Sequence, residues 1–281
     1  TLEQGLKSRE GTFRLNRLVE AITTKAIYGS LELEIAGVTS DSRSVEKGFL
    51  FVAIEGAITD GHLFIEDAIS RGAVAVVSER MSSRSDLTWV QTSNAREALG
   101  LLSCEMAGYP SSKLGLIGIT GTNGKTTIAY LVTNLLDKLA GPTSMMGTVG
   151  VKIGTMSWPA KHTTPEAPMV QQFLSEAVTE GCRYGTLEVS SHGLALHRLE
   201  GTEFEVAVFT NLSRDHLDYH SDMEAYFLAK RKLFAKHLRK TGTALVCIDD
   251  IYGERLASEF PSQVTTYGCS EKADFFVKEI N

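Results

Sequence analysis

With 281 residues, 43% of them hydrophobic, the chain has material for two ordinary domains, each with its own core. A formal net charge of −6 and a pI near 5.7 argue against a dedicated nucleic-acid binder, and no run of about 18 apolar residues is present to span a membrane. The four cysteines, Cys104, Cys182, Cys247 and Cys269, lie far apart without a C-x-x-C pair, so neither a disulfide framework nor a zinc site is suggested, and a cytoplasmic location fits best.

Residues 1–11 carry no initiator Met and no basic-then-apolar signal pattern, and are expected to be a disordered or appended lead. From 13 to 27 the apolar positions Leu15, Leu18, Val19 and Ile22 recur at helical spacing, which predicts a helix. A strand at 35–39 runs into the polar turn Ser40-Asp41-Ser42-Arg43, and 49–54 is a fully apolar strand. Helices are expected at 62–70 and 95–107, with a buried strand at 73–77 between them. The segment 108–113 gathers Gly, Pro and two serines and marks a boundary, giving a small α/β domain at 1–109 and a central domain at 110–281. Beyond it, strands at 114–119, 144–151, 185–189, 206–210 and 244–248 alternate with helices at 126–139, 167–180 and 223–238, the pattern of a mostly parallel sheet with crossover helices. The last residues, 273–281, read as the start of another strand.

The central domain is organised around Gly118-Ile-Thr-Gly-Thr-Asn-Gly-Lys-Thr-Thr127, which follows an apolar strand and opens a helix, as a phosphate-binding loop must. Glycines at 121 and 124 let backbone N–H groups converge on phosphate oxygens, Lys125 adds a cation, and Thr126 offers a hydroxyl for Mg²⁺ at a helix N-terminus. Ile119 stands where the general pattern has its first glycine.

In open α/β sheets ligands meet the residues just past the carboxyl ends of strands, so three further segments count. His162-Thr-Thr-Pro-Glu166 opens a helix and could hold an anion, or is a simple capping motif. In Glu188-Val-Ser-Ser-His-Gly193 a carboxylate ends a strand, placed to ligate Mg²⁺ opposite the loop or merely to be solvated; a Ser/His nucleophile is the alternative, without a G-x-S-x-G elbow to support it. Asn211-Leu-Ser-Arg-Asp-His-Leu-Asp-Tyr-His220 is dense in ionisable groups, yet lacks the glutamate of a zinc helix pair; it is a second magnesium site or a solvated loop. In the helix after it, Lys230 shares a face with Met223, Phe227, Phe234 and Leu238, and must snorkel, find a carboxylate or lose its charge, with snorkelling the commoner outcome.

Thr120-Gly-Thr-Asn-Gly-Lys-Thr-Thr127, Glu188-Val-Ser-Ser-His-Gly193, the run from Asn211 to His220, and Ala229-Lys230, together with Thr39-Ser-Asp-Ser-Arg43, resemble in kind and order the motifs of the Mur ligases of peptidoglycan synthesis. Within that family they resemble the MurE type, which adds the third amino acid of the stem peptide. The resemblance implies an α/β protein: a small N-terminal α/β domain followed by a P-loop ATPase-type, mostly parallel sheet with flanking helices, incomplete at its C-terminus. It implies ATP held by Gly121, Thr122, Asn123, Gly124, Lys125, Thr126 and Thr127, and Mg²⁺ at Thr126 and Glu188. A second Mg²⁺ would sit at His216, beside Lys230 as N6-carboxylysine, which would resolve the oddity of a lysine on an apolar face. Ser40 and Ser42 would contact the uridine nucleotide, with the loop 56–61 nearby; Thr163, Thr164, Ser190 and Arg198 would hold the muramoyl peptide. Some members carry a glutamine two residues before the arginine that matches Arg198; this chain has Leu196.

The implied reaction joins an amino acid, diaminopimelate or L-lysine, to UDP-N-acetylmuramoyl-L-alanyl-D-glutamate through an acyl phosphate, with Lys125, His216 and Lys230 as the catalytic groups. A cytoplasmic monomer is expected. Ligases of this kind have a further C-terminal domain that binds the amino acid, and nothing in the chain corresponds to it, so a fragment inactive on its own is expected. A folylpolyglutamate synthetase, the rival within the superfamily, would begin with its ATPase domain; a non-catalytic nucleotide sensor would have no use for Glu188, His216 and Lys230 together.

Overall fold

The computed structural model describes residues 5–7, 11–56, 59–81 and 84–278. The chain divides into two compact units, one made of Thr1–Pro110, Glu166–Ser175 and His197–Gly201, the other of Ser111–Pro165, Glu176–Leu196 and Thr202–Asn281. A linear cut at residue 110 does not anticipate the two later stretches that group with the first unit.

The first unit contains β1 (Leu6–Lys7), β2 (Phe13–Arg14), α1 (Leu15–Glu20), β3 (Thr24–Tyr28), β4 (Glu34–Ile35), β5 (Gly37–Thr39), β6 (Phe49–Ala53), α2 (Ile65–Ser70), β7 (Ala73–Ser78), β8 (Thr88–Thr92) and α3 (Ala95–Met106). Six of the strands form one sheet in the order β1-β5-β6-β7-β8-β3, parallel from β5 to β8 and antiparallel at both edges. All five residues of β6 are buried, because the sheet is covered on both faces. Leu50 and Val52 point into a core shared with α1 and α3, whereas Phe49, Phe51 and Ala53 point into one closed by α2. Asn94 starts α3 by accepting a hydrogen bond from the Glu97 N–H.

Two expectations fail here. The helix expected over 13–27 is only α1, since Thr24–Tyr28 pairs with β8 and the gain of a sheet edge overrides the helical spacing. The lead expected to be disordered supplies β1, where Leu6 is buried against β5; residues 1–4 and 8–10 lie outside the described residues.

The second unit contains β9 (Gly115–Thr120), α4 (Lys125–Ala140), β10 (Thr143–Gly147), β11 (Gly150–Ile153), β12 (Met156–Trp158), α5 (Ala167–Thr179), β13 (Tyr184–Glu188), α6 (Ser191–Ala195), β14 (Phe204–Phe209), α7 (Met223–Lys232), β15 (Leu238–Cys247), α8 (Ile251–Glu259), β16 (Val264–Gly268) and β17 (Phe275–Phe276), with part of α5 grouping with the first unit. Its sheet runs β12-β11-β10-β13-β9-β14-β15-β16-β17, parallel from β10 onward. β9 therefore lies between β13 and β14, and the chain leaves it through α4 to reach β10 on one side, then returns to build β14 on the other. Such a reversal opens a crevice at the carboxyl ends of the central strands.

The strand expected over 144–151 is a hairpin, β10 and β11, turning at Thr148 and Val149. The helix expected over 223–238 ends as α7 at Lys232 and continues as a π-turn, Leu233–His237. Along α4, Ala129 and Thr133 are buried, while Leu131, Leu135 and Leu139 are exposed. Residues 279–281 of the expected last strand lie outside the described residues, and among the described residues no helix is long and apolar enough to cross a membrane.

Candidate active site at the strand ends of the second unit

The loop after β9 takes its shape from glycine and from the segment that follows β14. Gly121 has φ +146°, and a Cβ there would fall 1.9 Å from Thr210 Oγ1, so no side chain fits. Gly124, at φ +85°, turns the chain into α4. Thr122 N–H donates to Asn211 O at 2.9 Å and Asn123 N–H to Asn211 Oδ1 at 3.0 Å, while Thr210 Oγ1 donates to Asn123 O at 2.6 Å. Thr210 and Asn211 are thus the clamp of the loop, a role that a strand end and the start of a polar run did not reveal. Thr122 Oγ1 accepts from Ser213 N–H and lies 3.3 Å from the Tyr226 hydroxyl.

Lys125 folds its ammonium back onto the loop, donating to Gly121 O at 3.0 Å and Thr122 O at 2.9 Å. Burial lowers its pKa, against the opposing fields of Glu188 and Asp215. From the first turn of α4, Thr126 Oγ1 donates to Glu188 Oε2 at 2.8 Å. Glu188 is 1% exposed at the end of β13. Thr148, at the hairpin tip, donates its N–H to Glu188 Oε1 at 2.9 Å and its hydroxyl to Oε2 at 3.1 Å. Sequence reasoning missed Thr148, because a turn inside an apolar run gives no signal of which carboxylate it will meet. Behind the carboxylate, Thr164 Oγ1 donates to Glu188 O at 2.8 Å and accepts from Ser190 N–H at 3.1 Å; Ser190 in turn caps α6. Thr163 Oγ1 is 2.9 Å from Thr148 Oγ1. Thr163, Thr164 and Ser190 therefore gather around Glu188.

Lys230 does not snorkel. It is 2% exposed, donates to Gly121 O at 2.8 Å, and holds its ammonium 4.6 Å from the Tyr226 ring centre. Both lysines thus share the Gly121 carbonyl oxygen. Burial, aided by the neighbouring Lys125 charge, pushes the Lys230 pKa down to about 7, and among the described residues no carboxylate forms an ion pair with it. His216, with φ +51°, is half-exposed and lies 3.6 Å from Asp215. Its ring stands edge-on to His192, 5.2 Å away, and 6.0 Å from Tyr226 of α7. His220 is buried beneath, 5.0 Å from Tyr226, and burial followed by the His192 and Lys230 charges lowers its pKa.

Ser40 and Ser42 lie in the first unit, past the end of β5. There a cavity of about 670 Å³ is lined by Ser40, Asp41, Ser42, Arg43, Ile54, Gly56, Thr59, Gly61, Phe64, Asp67, Arg96 and Glu166. Arg43 grips Asp41 through Nε at 2.9 Å and Nη2 at 2.7 Å, which holds the Asp41 pKa below the usual carboxylate range. Asp60 accepts the His62 N–H and its ring N–H, and its pKa falls to about 2. Asp67, Arg96 and Phe64 were not anticipated; they come from helices whose sequence shows only amphipathic spacing. Of the expected loop 56–61, residues 57 and 58 lie outside the described residues. Arg198 also belongs to the first unit, where it donates to Glu166 at 2.6 Å.

A nine-stranded, mostly parallel sheet with a glycine-lysine-threonine loop at its switch point, and a buried carboxylate on the loop's threonine, defines a nucleotide-binding α/β protein of the P-loop class. The Mur ligase middle domain matches residues 119–281, and the Mur ligase family, catalytic domain, matches residues 34–104; the chain belongs to the Mur ligase family. The UDP-N-acetylmuramoyl-L-alanyl-D-glutamate–2,6-diaminopimelate ligase of Geobacter metallireducens is 43% identical over 263 residues, covering 92% of this chain and 52% of that protein. The ligase of the same name from Caldanaerobacter subterraneus is 43% identical over 255 residues, 90% of this chain and 52% of that one. A solved structure of a ligase bearing that name superposes with a TM-score of 0.83 at 31% identity, covering 96% of this chain and 55% of the other. The MurF ligase of Thermotoga maritima in complex with ADP superposes at 0.57 with 25% identity, covering 86% and 52%. The chain spans about half the length of the curated relatives it matches.

Proposed function

We propose that the protein to which this chain belongs is an ATP-dependent amide ligase of peptidoglycan precursor synthesis, joining diaminopimelate or L-lysine to UDP-N-acetylmuramoyl-L-alanyl-D-glutamate in the cytoplasm. The observation that carries the reading is the meeting, around one phosphate loop, of Lys125, the Thr126–Glu188 pair and the buried Lys230. Family membership and the names of relatives 43% identical support it.

Lys125 leaves the loop carbonyls for the β- and γ-phosphates of ATP, and the N–H groups at 124–127, where α4 begins, cradle the same anion. Thr126 Oγ1 and Glu188 Oε2, 2.8 Å apart, are the hard oxygen donors a magnesium ion prefers, and His216 with Asp215 offers a second position. Thr126 and Glu188 would hold Mg²⁺ there, and the ion would supply charge neutralisation for the transferring phosphoryl group. Lys230 fits N6-carboxylation: a buried amine with its pKa near 7 is substantially neutral and so able to capture CO₂, and the resulting carbamate would supply anionic oxygens for the metal. The dipeptide's terminal carboxylate, brought in by Thr163, Thr164 and Ser190, takes the γ-phosphoryl group to give an acyl phosphate. The incoming amine then attacks the acyl carbon and phosphate leaves as the amide forms. Ser40 and Ser42 hold the uridine nucleotide.

The test is ADP release by the intact enzyme, dependent on both UDP-N-acetylmuramoyl-L-alanyl-D-glutamate and an amino acid, with hydroxylamine trapping the acyl phosphate as a hydroxamate. Dipeptide-independent ATP hydrolysis without hydroxamate would sink the proposal.

A further inference from the structure

Thr148 is exposed at the β10–β11 tip, yet its N–H and its hydroxyl both turn inward, to Oε1 and Oε2 of Glu188. The same hydroxyl oxygen lies 2.9 Å from Thr163 Oγ1. A hydroxyl has one proton, so Thr148 can donate to Glu188 or to Thr163 but not to both. The carboxylate is the stronger acceptor, and in this arrangement Thr163 must be the donor to Thr148. Oε2 is also the atom that Thr126 of the phosphate loop addresses, at 2.8 Å. Gly147 makes the approach possible, since a Cβ there would lie 2.1 Å from Glu188 Oε1. One carboxylate oxygen thus joins the nucleotide loop to the hairpin, and one hydroxyl joins the hairpin to the loop at 163.

We infer that Thr148 is a positioning residue that couples the magnesium-nucleotide side of this site to the muramoyl-peptide side through the direction of its single hydroxyl proton; the inference rests on the ligase reading above. With no cation on Oε2, Thr148 donates to it alongside Thr126, and Thr163 spends its proton on Thr148. Once Oε2 serves a cation, Thr148 loses that acceptor and turns its proton to Thr163 Oγ1. The Thr163 hydroxyl is then released to donate outward, to a carboxylate or carbonyl of the peptide substrate. Loading the nucleotide side therefore creates a donor on the peptide side, and linkage requires the reverse effect to be equally large.

Calorimetry on the intact enzyme tests this, with UDP-N-acetylmuramoyl-L-alanyl-D-glutamate titrated with and without saturating magnesium and a non-hydrolysable ATP analogue. The wild-type protein is expected to bind the dipeptide about fivefold or more tightly with the nucleotide present. Thr148→Val should bring that ratio to one while each ligand alone still binds, Thr148→Ser should restore it, and Thr163→Val should abolish it with no further loss in the double variant. A wild-type ratio of one, a Thr148→Val protein with the wild-type ratio, or equal impairment in Thr148→Ser would overturn the coupling and leave the ligase reading standing. If the wild-type protein binds neither ligand, the ligase reading itself falls and the coupling with it.

Discussion

Around the cavity of the first unit most of the charges are settled internally: Arg43 grips Asp41, Arg80 meets both Asp60 and Glu55, and Arg198 meets Glu166, while Arg96 makes no ion pair among the described residues. Around the phosphate loop of the second unit a half-buried lysine, Lys125, and a buried one, Lys230, donate their hydrogen bonds to backbone oxygens, and both use the same one, Gly121 O, with no ion pair to either among the described residues. A pocket whose charges are mostly paired can hold a ligand through shape, hydrogen bonds and the cation left over, with little electrostatic change. A desolvated lysine is costly as a cation, and the cost is met by an arriving phosphate at Lys125 and by loss of the charge at Lys230. The first arrangement suits recognition and the second suits chemistry that passes through highly charged species.

The largest expected effect breaks the second half of that contrast. Lys230→Ala should lower turnover of the intact enzyme by about 10³-fold, as loss of a preorganised electrostatic group does. Added acetate or another small carboxylate should partly restore it, because the missing group is an anion; unchanged turnover in a steady-state assay would refute the assignment. Next, Lys125→Ala should weaken catalysis by about 10²-fold without disturbing the first unit, so that binding of the UDP-dipeptide, measured without nucleotide, stays at the wild-type level. Glu188→Gln should raise the magnesium concentration for half-maximal activity by about tenfold or more, read from metal titrations of the initial rate.

Stability sharpens the same contrast with smaller effects. Lys230 has a folded pKa of about 7 against an ordinary 10.5, so between those values the unfolded chain binds the extra proton and wild-type stability rises with pH. Lys230→Met should remove that slope and raise the melting temperature at pH 7, in CO₂-free buffer, by about 2–4 °C. Asp60 behaves in the opposite sense. Its pKa is depressed to about 2, so its contribution is present above the ordinary carboxylate range and lost as pH falls toward 2. Asp60→Asn should therefore lose melting temperature at pH 6 and very little at pH 2, as scanning calorimetry at the two values would record.

The alternation of apolar runs and helical spacings announced a parallel sheet with crossover helices, and the loop at 118–127 announced its own chemistry, because glycine, lysine and threonine at fixed offsets leave few other uses. What stayed hidden depends on contacts between distant segments. The lead strand at Leu6 and Lys7 is too short to carry a period, and 24–28 is a strand only because β8 offers an edge. Burial of Lys230 could not be told from snorkelling, since both place the Cβ on the same face. Thr148 and Thr210 have ordinary neighbours in sequence and owe their places to a carboxylate 40 residues away in one case and a loop carbonyl 87 residues away in the other.

Gly147 lies in extended backbone that alanine adopts freely, and the atoms nearest an added methyl are Oε1, Cδ and Cγ of the Glu188 side chain. A methyl there would push the carboxylate aside and leave the strand in place. Gly147→Ala would therefore register most strongly in metal-dependent nucleotide binding, with a smaller loss of thermal stability from the displaced carboxylate. One missing carbon in β10 is thus as much a part of the ion-binding apparatus as the oxygens that face it.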